Sequence, residues 1–331
     1  MTNAPKRVLI TGGAGFIGLH LAARLVRDGV QVTLVDNLRR GEADTDLHAL
    51  LAQPGVAFIQ ADLSDPASHA RLGGGYDAVY HLAAVVGVRN VMDHPWDTLR
   101  INSLATLLLL DWFTAGGGAK FFFASTSEAY AWTRLYTPLP VPTPEAVPLA
   151  LTDLAAPRAT YAGGKIFGEL AVTHACAQAG RPFVIARFHN VYGPRMGFSH
   201  VIPQLFERAI KSPGPLEVYN PGHRRAFCHV SDAVGAMLHL MDRPDVRDLT
   251  VNIGNDREEH AIGELARTLL RAAGLTRQIV EAVDQADPID RRCPDIGRLR
   301  GLGFSPQVSL EAGLADTLPW YRRRFEAHGQ G

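Results

Sequence analysis

Cysteine is scarce in this sequence. The chain has three cysteines in 331 residues, and Cys176, Cys228 and Cys293 stand far apart. Their number is odd, and no Cys-x-x-Cys or Cys/His pattern surrounds them. This argues against a disulfide framework or a zinc site, so we assign no metal ligand and expect a reducing compartment.

Net charge and long apolar runs are also missing. The 33 basic and 33 acidic side chains cancel, and no run of five like charges occurs. Nucleic acid and membrane surfaces are therefore not expected partners. No window approaches the roughly 18 apolar residues of a membrane span, and the first apolar stretch is too short for a signal peptide. These absences predict a soluble, cytoplasmic protein with a small-molecule ligand.

What the sequence does contain is an alternation of short apolar runs with helical patterns. Runs that are nearly continuous in apolar residues are typical of parallel strands covered on both faces. Strand, helix and strand in repetition predict an α/β fold with a doubly wound, Rossmann-type parallel sheet. The predicted strands are 7–11, 31–36, 56–62, 77–83, 120–125, 182–188 and 251–255, and the predicted helices are 16–28, 97–114, 161–179, 201–211, 231–242, 261–273 and 309–327.

A glycine-rich turn joins the first predicted strand to the first helix. In this spacing Gly12 permits a tight turn, Gly15 lets the backbone approach a pyrophosphate, and Gly18 lets the helix pack closely on the sheet. The helix amino terminus then favours an anion. Asp36 ends the second strand, where a carboxylate binds the adenosine ribose diol of NAD and repels the 2′-phosphate of NADP. Arg39 and Arg40 follow closely and complicate that choice.

Two further segments carry the residue types of an acid/base site. Tyr161 and Lys165 are four residues apart in a predicted helix and so share one face. An ammonium group there is expected to lower the tyrosine pKa towards neutrality. Thr126, Ser127 and Glu128 follow the predicted strand 120–125, at a carboxyl end where ligands bind. If the two segments are considered separately, Tyr161 and Lys165 are an exposed pair on a helix surface, and residues 126–128 are a Ser/Thr-rich turn.

Together these segments resemble the extended short-chain dehydrogenases/reductases of the nucleotide-sugar epimerase, dehydratase and decarboxylase group. The resemblance runs nearly from end to end and is specific for the group rather than for one member. Its motifs are TGGAGFIG (11–18), VDN (35–37), ADL (61–63), HLAA (81–84), STSEAY (125–130), YAGGK (161–165), RFHNVYGPR (187–195), RRAF (224–227), VNIGN (251–255) and RRCPDI (291–296).

The resemblance implies a role for each matching residue. Thr126, Ser127, Glu128, Tyr161 and Lys165 would be catalytic, with Tyr161 as the base. NAD would be bound by Gly12, Gly15, Phe16, Ile17, Gly18, Asp36, Asn37, Asp62, Leu63, Leu82, Ala83, Ala84, Tyr161 and Lys165, and the nucleotide sugar by Val86, Asn190, Val201, Arg225 and Arg292.

Several of these assignments have structural alternatives. Asn190 would otherwise cap a turn, Arg225 would be a surface cation, and Arg291 competes with Arg292 for the same place in the motif. His189 and His200 lie near the expected sugar pocket, where hydrogen-bonded structural histidines are the favoured interpretation. The proline-rich segment 136–150 is either a lid over the sugar or a rigid surface loop.

The same resemblance divides the chain into two regions. Residues 1–188, with 226–256 returning to them, would form the NAD-binding domain. Residues 189–225 and 257–331 would form a smaller, mixed α/β region that binds the nucleotide sugar. The group commonly pairs through two helices, here 97–114 and 161–179, so a homodimer is expected.

The resemblance further implies transient oxidation of a sugar at C4 with no net redox change. Glu128 and the carboxyl-terminal motifs favour decarboxylation or dehydration. HLAAVVGVR lacks the proline-bearing loop of the decarboxylases, YAGGK lacks their acidic residue, and Ser127 stands where dehydratases have aspartate. The sequence therefore favours an NAD-dependent nucleotide-sugar epimerase, with a UDP-glucuronate-type decarboxylase or a 4,6-dehydratase as the alternative. A non-catalytic NAD-binding scaffold is the alternative from another class.

Overall fold

A central parallel sheet organises the chain. The computed structural model describes residues 6–212, 214–283 and 289–328. Its strands are Arg7–Thr11 (β1), Gln31–Asp36 (β2), Val56–Gln60 (β3), Ala78–His81 (β4), Phe121–Thr126 (β5), Phe183–Phe188 (β6), Val191–Tyr192 (β7), Leu216–Tyr219 (β8), Arg224–Ala226 (β9), Cys228–His229 (β10), Leu249–Ile253 (β11), Glu259–Ala261 (β12), Ile279–Ala282 (β13) and Arg291–Arg292 (β14).

Helices connect most of these strands. They are Phe16–Arg27 (α1), Thr45–Leu51 (α2), Val88–Asp93 (α3), Pro95–Trp112 (α4), Glu128–Tyr136 (α5), Pro157–Gln178 (α6), Val201–Lys211 (α7), Val230–Asp242 (α8), Ile262–Ala273 (α9), Gly297–Gly301 (α10) and Leu310–His328 (α11). A 3₁₀ turn covers Pro66–Arg71, and a π-helical turn, Phe113–Gly117, follows α4.

The large sheet has seven strands in the order β11-β6-β5-β4-β1-β2-β3. Val8, Leu9 and Ile10 of β1 are fully buried, as expected for a strand covered on both faces. The strand order reverses between β1 and β4, and in such sheets the ligand crevice lies beyond the strand ends at that reversal. The predicted Rossmann-type fold is confirmed, and its topology directs attention to Thr11 and His81, the last residues of these two strands.

Predicted elements and observed elements agree closely where the sequence pattern is strong. β1, β2 and α7 have the predicted bounds. The late strand is Leu249–Ile253 instead of 251–255, and sequence analysis missed α2, α3, α5 and α10 together with the short strands after β6. These missed elements are short, and short segments show little periodicity.

Contacts divide the chain into two compact units. The first contains the residues up to Tyr136 together with Pro148–Arg187 and Met237–Val251, and the second contains Thr137–Val147, Phe188–Ala236 and the residues from Asn252 onward. The return to the first unit is thus shorter than the expected 226–256. The binding role of each unit remains a prediction. Among the described helices, none combines the length and the apolar character that crossing a bilayer requires.

The proline-rich segment also departs from the expected division, because part of it groups with the second unit. The Thr143 N–H donates to the Cys293 carbonyl at 2.8 Å, and the Asp295 N–H donates to the Thr143 carbonyl at 2.9 Å. Glu145 accepts a hydrogen bond from the Asn252 N–H at 2.8 Å. These bonds favour the rigid loop over the lid, because opening would break several main-chain hydrogen bonds at once.

Candidate active site

The glycine turn between β1 and α1 has the geometry that the sequence predicts. Gly12 has φ +70°, a left-handed conformation that favours glycine, and a Cβ there would lie 2.8 Å from the Ala83 nitrogen. A Cβ on Gly18 would overlap the Gly12 carbonyl oxygen. The turn therefore needs both glycines, and it brings backbone to the amino terminus of α1, where a phosphate group is favoured.

Carboxylates at the ends of β2 and β3 lie beside this turn. Asp36 accepts hydrogen bonds from the Ala14 N–H at 3.1 Å and from the Leu38 N–H at 2.9 Å. Asn37 donates to Asp62 at 3.2 Å, so two of the predicted adenosine ligands are in contact. Burial raises the pKa of Asp62, but hydrogen bonds from Ser64 and Asn37 outweigh it, so this pKa lies below its ordinary value. Binding of the NAD ribose and adenine by these two carboxylates remains a prediction.

A chain of buried hydrogen bonds joins the ends of β1 and β4. The Ala83 N–H donates to the Thr11 hydroxyl at 3.2 Å, and that hydroxyl contacts His81 Nδ1 at 2.8 Å. His81 Nε2 contacts the Thr106 hydroxyl at 3.1 Å, which donates to the Asn102 carbonyl at 2.8 Å. Because Thr106 already donates its proton, it accepts from Nε2, and Nδ1 must accept from Thr11. This chain fixes neutral His81 and places Ala83 against Gly12.

Stability should depend on the neutrality of His81. Burial, with Lys165 and His69, lowers the pKa of His81 from 6.5 to about 3. The unfolded chain binds this proton more readily, so the stability is present above pH 6.5 and is lost as the pH falls towards 3. Between pH 7 and pH 5 the group should remove about 2 kcal/mol from the free energy of unfolding.

Denaturant titrations at the two pH values measure this effect. His81→Gln keeps a donor and an acceptor but cannot be protonated in this range, so its stability should fall less steeply with acid. Equal pH slopes for the two proteins would contradict the assignment.

The predicted acid/base residues come together where β5 ends and α6 begins. The Tyr161 hydroxyl is hydrogen-bonded to Thr126, and Glu128 acts electrostatically on the same phenol. The Glu128 N–H donates to the Thr126 hydroxyl at 3.2 Å, which leaves the threonine proton for Tyr161. Burial and Glu128 raise the pKa of Tyr161 to about 12, against the lowering effects of Thr126 and Arg40. The phenol is thus protonated at neutral pH and close to a threonine and a carboxylate.

The expectation that Lys165 lowers the Tyr161 pKa is wrong for this arrangement. The Lys165 ammonium donates to the Ala124 carbonyl at 2.7 Å, and it lies 4.9 Å from the centre of the Phe123 ring. Burial lowers the pKa of Lys165 itself to about 8, and Glu169 opposes this shift. The helical spacing places the lysine on the same face as Tyr161, but the ammonium group interacts with β5.

Arg158 belongs to this group and was missed by sequence analysis. Its guanidinium lies 3.5 Å from the Glu128 carboxylate, and it is one turn before Tyr161 on α6. The signal was its position three residues before Tyr161 on the same helix face. Ser127 is half-buried, and its carbonyl accepts from the Tyr130 N–H at 3.0 Å, so its contact with a substrate remains a prediction.

In the second unit, three predicted sugar-nucleotide ligands are neighbours. Arg225 of β9 and Arg292 of β14 are opposite each other in a parallel pair. Asn190 donates to the Ala226 carbonyl at 3.1 Å. Arg225 is not a surface cation: it is 8% exposed and donates to the carbonyls of Arg224, Asp290 and Ile289 at 2.7–3.1 Å. Diphosphate binding by this cluster remains a prediction.

The competition between Arg291 and Arg292 has a structural answer. Arg291 binds both carboxylate oxygens of Glu259, at 2.6 and 2.8 Å, which favours Arg292 as the ligand. His189 is buried and contacts Asn252 at 3.2 Å, in keeping with a structural histidine. His200 is exposed and precedes α7.

For the remaining predicted substrate and NAD ligands, the structure gives a position but no contact that tests the predicted role. Val86 is half-buried, and its carbonyl accepts from Asn90 at 3.0 Å, whereas Val201 is the first residue of α7. The remaining predicted NAD ligands surround the glycine turn or end neighbouring strands: Phe16 and Ile17 open α1, Gly15 precedes it, Leu63 is buried, and Leu82 and Ala84 flank Ala83.

Sequence analysis also missed several buried polar residues beneath the site. Asn102 holds the segment after His81 through two bonds to Val85, at 2.7 and 3.0 Å. Glu169 and Arg187 form a buried ion pair at 2.6 Å. The signal for it was an arginine inside the apolar run of β6, since a buried charge requires a partner.

Comparisons with known proteins agree with this geometry. Residues 8–254 match the model of the NAD dependent epimerase/dehydratase family. That family is NAD-dependent, and the tight glycine turn at Gly12, Gly15 and Gly18 and the acidic strand ends fit such a group.

Two relatives and one solved structure resemble nearly the whole chain. A UDP-N-acetyl-alpha-D-glucosaminuronate decarboxylase from Bacillus cytotoxicus is 35% identical over 96% of this chain and 98% of its own length. UDP-glucuronic acid decarboxylase 1 from Xenopus tropicalis is 34% identical over 97% of this chain and 73% of its own. The structure of UDP-N-acetylglucosamine 4-epimerase from Methanobrevibacter ruminantium M1, in complex with UDP-N-acetylmuramic acid, has a TM-score of 0.85 at 26% identity, covering 97% of this chain and 99% of that one.

Proposed function

The chain belongs to the NAD-dependent epimerase/dehydratase family, and from this premise we propose that it decarboxylates a UDP-linked hexuronic acid. The observation that carries the proposal is the group formed by Thr126, Tyr161 and Glu128, in which Glu128 is paired with Arg158. With NAD as the hydride acceptor, a phenol and a hydroxyl suffice for the proton transfers of reversible oxidation at C4 of a sugar. The neighbouring Glu128 carboxylate favours a reaction with a further proton transfer. The Arg158 guanidinium favours a substrate that carries a second anionic group besides its diphosphate.

Tyr161 and Thr126 have separate roles in the proposed reaction. Bound NAD would supply the hydride acceptor for C4 of the sugar and a positive ring that favours the phenolate of Tyr161. Tyr161 takes the proton of the 4-hydroxyl, and Thr126 donates a hydrogen bond to the phenolic oxygen. The 4-ketone makes the C6 carboxylate a β-keto acid. Carbon dioxide then leaves, the electron pair of the broken C5–C6 bond forms a C4–C5 enolate, and C5 takes a proton. Return of the hydride to C4, with the Tyr161 proton passing back to the C4 oxygen, would complete the reaction with no net redox change.

A nucleotide-sugar 4-epimerase is the second candidate, and particular residues favour it. Ala162 follows Tyr161 where the decarboxylases have an acidic residue, and the loop after His81 lacks their proline. The sequence alone therefore gives priority to epimerisation. The two decarboxylase relatives, alike over nearly the full chain, and the ion pair of Glu128 with Arg158 support the opposite order.

In the second unit, Asn190, Arg225 and Arg292 are proposed to bind the diphosphate of the substrate. Arg225 and Arg292 lie on neighbouring strands, so two positive charges stand close together and favour such an anion. We further propose a cytoplasmic homodimer that pairs through α4 and α6, which carry exposed apolar side chains at Trp96, Phe167 and Leu170. Light scattering at micromolar concentration checks the pairing, and a monodisperse monomer would contradict it.

Incubation with a panel of nucleotide sugars tests the reaction. The panel contains UDP-glucuronic acid, UDP-N-acetylglucosaminuronic acid and neutral UDP-, dTDP-, GDP- and ADP-sugars, and products are identified by mass spectrometry and proton NMR. Loss of carbon dioxide from a uronic acid is the expected result. An unchanged mass with a new sugar configuration would establish the epimerase instead, loss of water a dehydratase, and no conversion at all a non-catalytic NAD-binding scaffold.

A further inference from the structure

A cluster of polar side chains is buried behind the end of β5. Glu169 and Arg187 are 7% and 6% exposed. Arg187 binds both carboxylate oxygens, with Nε 2.9 Å from Oε1 and a terminal nitrogen 2.6 Å from Oε2. The Ser125 hydroxyl donates to Oε1 at 2.5 Å, and Arg187 also donates to the Tyr130 hydroxyl at 2.9 Å. β5, β6 and α6 therefore meet at one carboxylate, and α5 joins the cluster through Arg187.

This carboxylate lies on the same helix face as the predicted catalytic residues. Tyr161, Lys165 and Glu169 follow one another at four-residue intervals on α6. Three groups act on the Lys165 ammonium from neighbouring positions: the Ala124 carbonyl and the Phe123 ring of β5, and His81 of β4, which burial keeps neutral. None of these three carries a full negative charge. Glu169, one helical turn further along α6, supplies a negative charge that acts on Lys165.

Fold stability alone does not explain why Glu169 and Arg187 are buried as an ion pair. Desolvation of two buried charges offsets much of their attraction, and well-packed apolar residues often stabilise a protein equally well. Thr126 directly follows Ser125, so the cluster also ties α6 to the strand end that carries the catalytic hydroxyl.

We propose that Glu169 is a positioning residue for Lys165: held in place by the two bonds from Arg187, it keeps the ammonium group charged at the end of β5 and so sets the alkaline limit of NAD binding. The inference rests on the proposed function in one respect, namely that Lys165 binds the nicotinamide ribose.

The direction of the effect follows from the charges. The pKa of Lys165 is lowered to about 8 by burial, while Glu169 raises it. Removal of the anion leaves burial unopposed, so the pKa falls further, by about one unit or more for a neighbouring charge. Because the charged form is present below the pKa and lost above it, the variant should lose its ammonium at a lower pH than the wild type.

Glu169→Gln tests this with two readouts besides turnover. Lys165 is titrated by NMR of its labelled side chain, and NAD affinity is measured by calorimetry from about pH 6 to about pH 9.5. Both alkaline midpoints should move down by about one pH unit. Ser125→Ala is the matched control, since it removes a hydrogen bond to the same carboxylate but keeps its charge, and its midpoints should stay near those of the wild type.

A purely structural role would leave the Lys165 midpoint where it is, and that result would overturn the proposal. Arg187 would be left buried without its partner in Glu169→Gln, so a second variant, Glu169→Leu with Arg187→Met, removes both charges and avoids an unpaired one. Its Lys165 midpoint should fall in the same direction, and an unchanged midpoint in this folded variant would equally refute the inference. If the NMR midpoint moves while no nucleotide sugar is converted, the proposed function fails and the role of Glu169 stands.

Discussion

Replacement of Tyr161 by phenylalanine should reduce conversion of the nucleotide sugar about 10³-fold, the range typical for loss of a general acid/base. The ring and its packing are kept, and what disappears is the oxygen that is hydrogen-bonded to Thr126 and influenced by Glu128. NAD binding should be retained and change far less than turnover, because the glycine turn, Asp36 and Lys165 are untouched. Turnover with saturating substrate and calorimetric NAD binding measure the two effects separately.

A second tyrosine provides the matched control for this experiment. Tyr76 is 5% exposed, and its hydroxyl donates to the Leu72 carbonyl at 2.9 Å, away from the catalytic group. Tyr76→Phe also removes a buried hydroxyl, at a stability loss of about 1 kcal/mol, and it should leave turnover near that of the wild type. If Tyr161→Phe retains activity within about tenfold of the wild type, the phenol is not the general base.

Gly18→Ala should be among the most damaging single-methyl changes in the chain. Alanine favours a helix over glycine by about 1 kcal/mol, so propensity alone predicts stabilisation of α1. The added Cβ would overlap the Gly12 carbonyl oxygen, a backbone atom that cannot rotate away. We expect the free energy of unfolding to fall by about 3 kcal/mol and NAD affinity by about 100-fold, measured by denaturant titration and calorimetry.

Gly301→Ala is the matched control, because a Cβ there meets no atom within 4 Å and the residue lies in helix α10. That variant should keep its stability or gain a few tenths of a kcal/mol. A Gly18→Ala protein as stable as the Gly301→Ala protein, with intact NAD affinity, would show that the turn relaxes around the methyl group.

Much of the fold and of the cofactor site is readable from the sequence, because both depend on local patterns. An apolar run such as RVLIT must be covered on both faces, and the glycine spacing after it has few structural uses besides a phosphate-binding turn. The four-residue spacing of Tyr161 and Lys165 likewise places both on one helix face without any tertiary information.

Electrostatic effects are less readable, because they depend on contacts between residues far apart in sequence. Helical spacing favours a lysine that lowers the pKa of its tyrosine. In the structure the Lys165 ammonium interacts with Ala124 of β5, and burial together with Glu128 raises the pKa of the Tyr161 phenol. The pairing of Glu128 with Arg158 and of Glu169 with Arg187 joins residues 30 and 18 positions apart. Single-residue patterns contain no information on which partner neutralises a buried charge.

The sequence by itself determined the architecture and the family and supplied the candidate catalytic residues, since periodicity and glycine or hydroxyl positions follow from local backbone geometry. Only the tertiary structure decided the electrostatics of those residues: which proton His81 keeps, what Lys165 binds, and which anion acts on it. The physical reason is that a pKa is set by burial and by neighbouring charges, and both arise only when distant segments pack together.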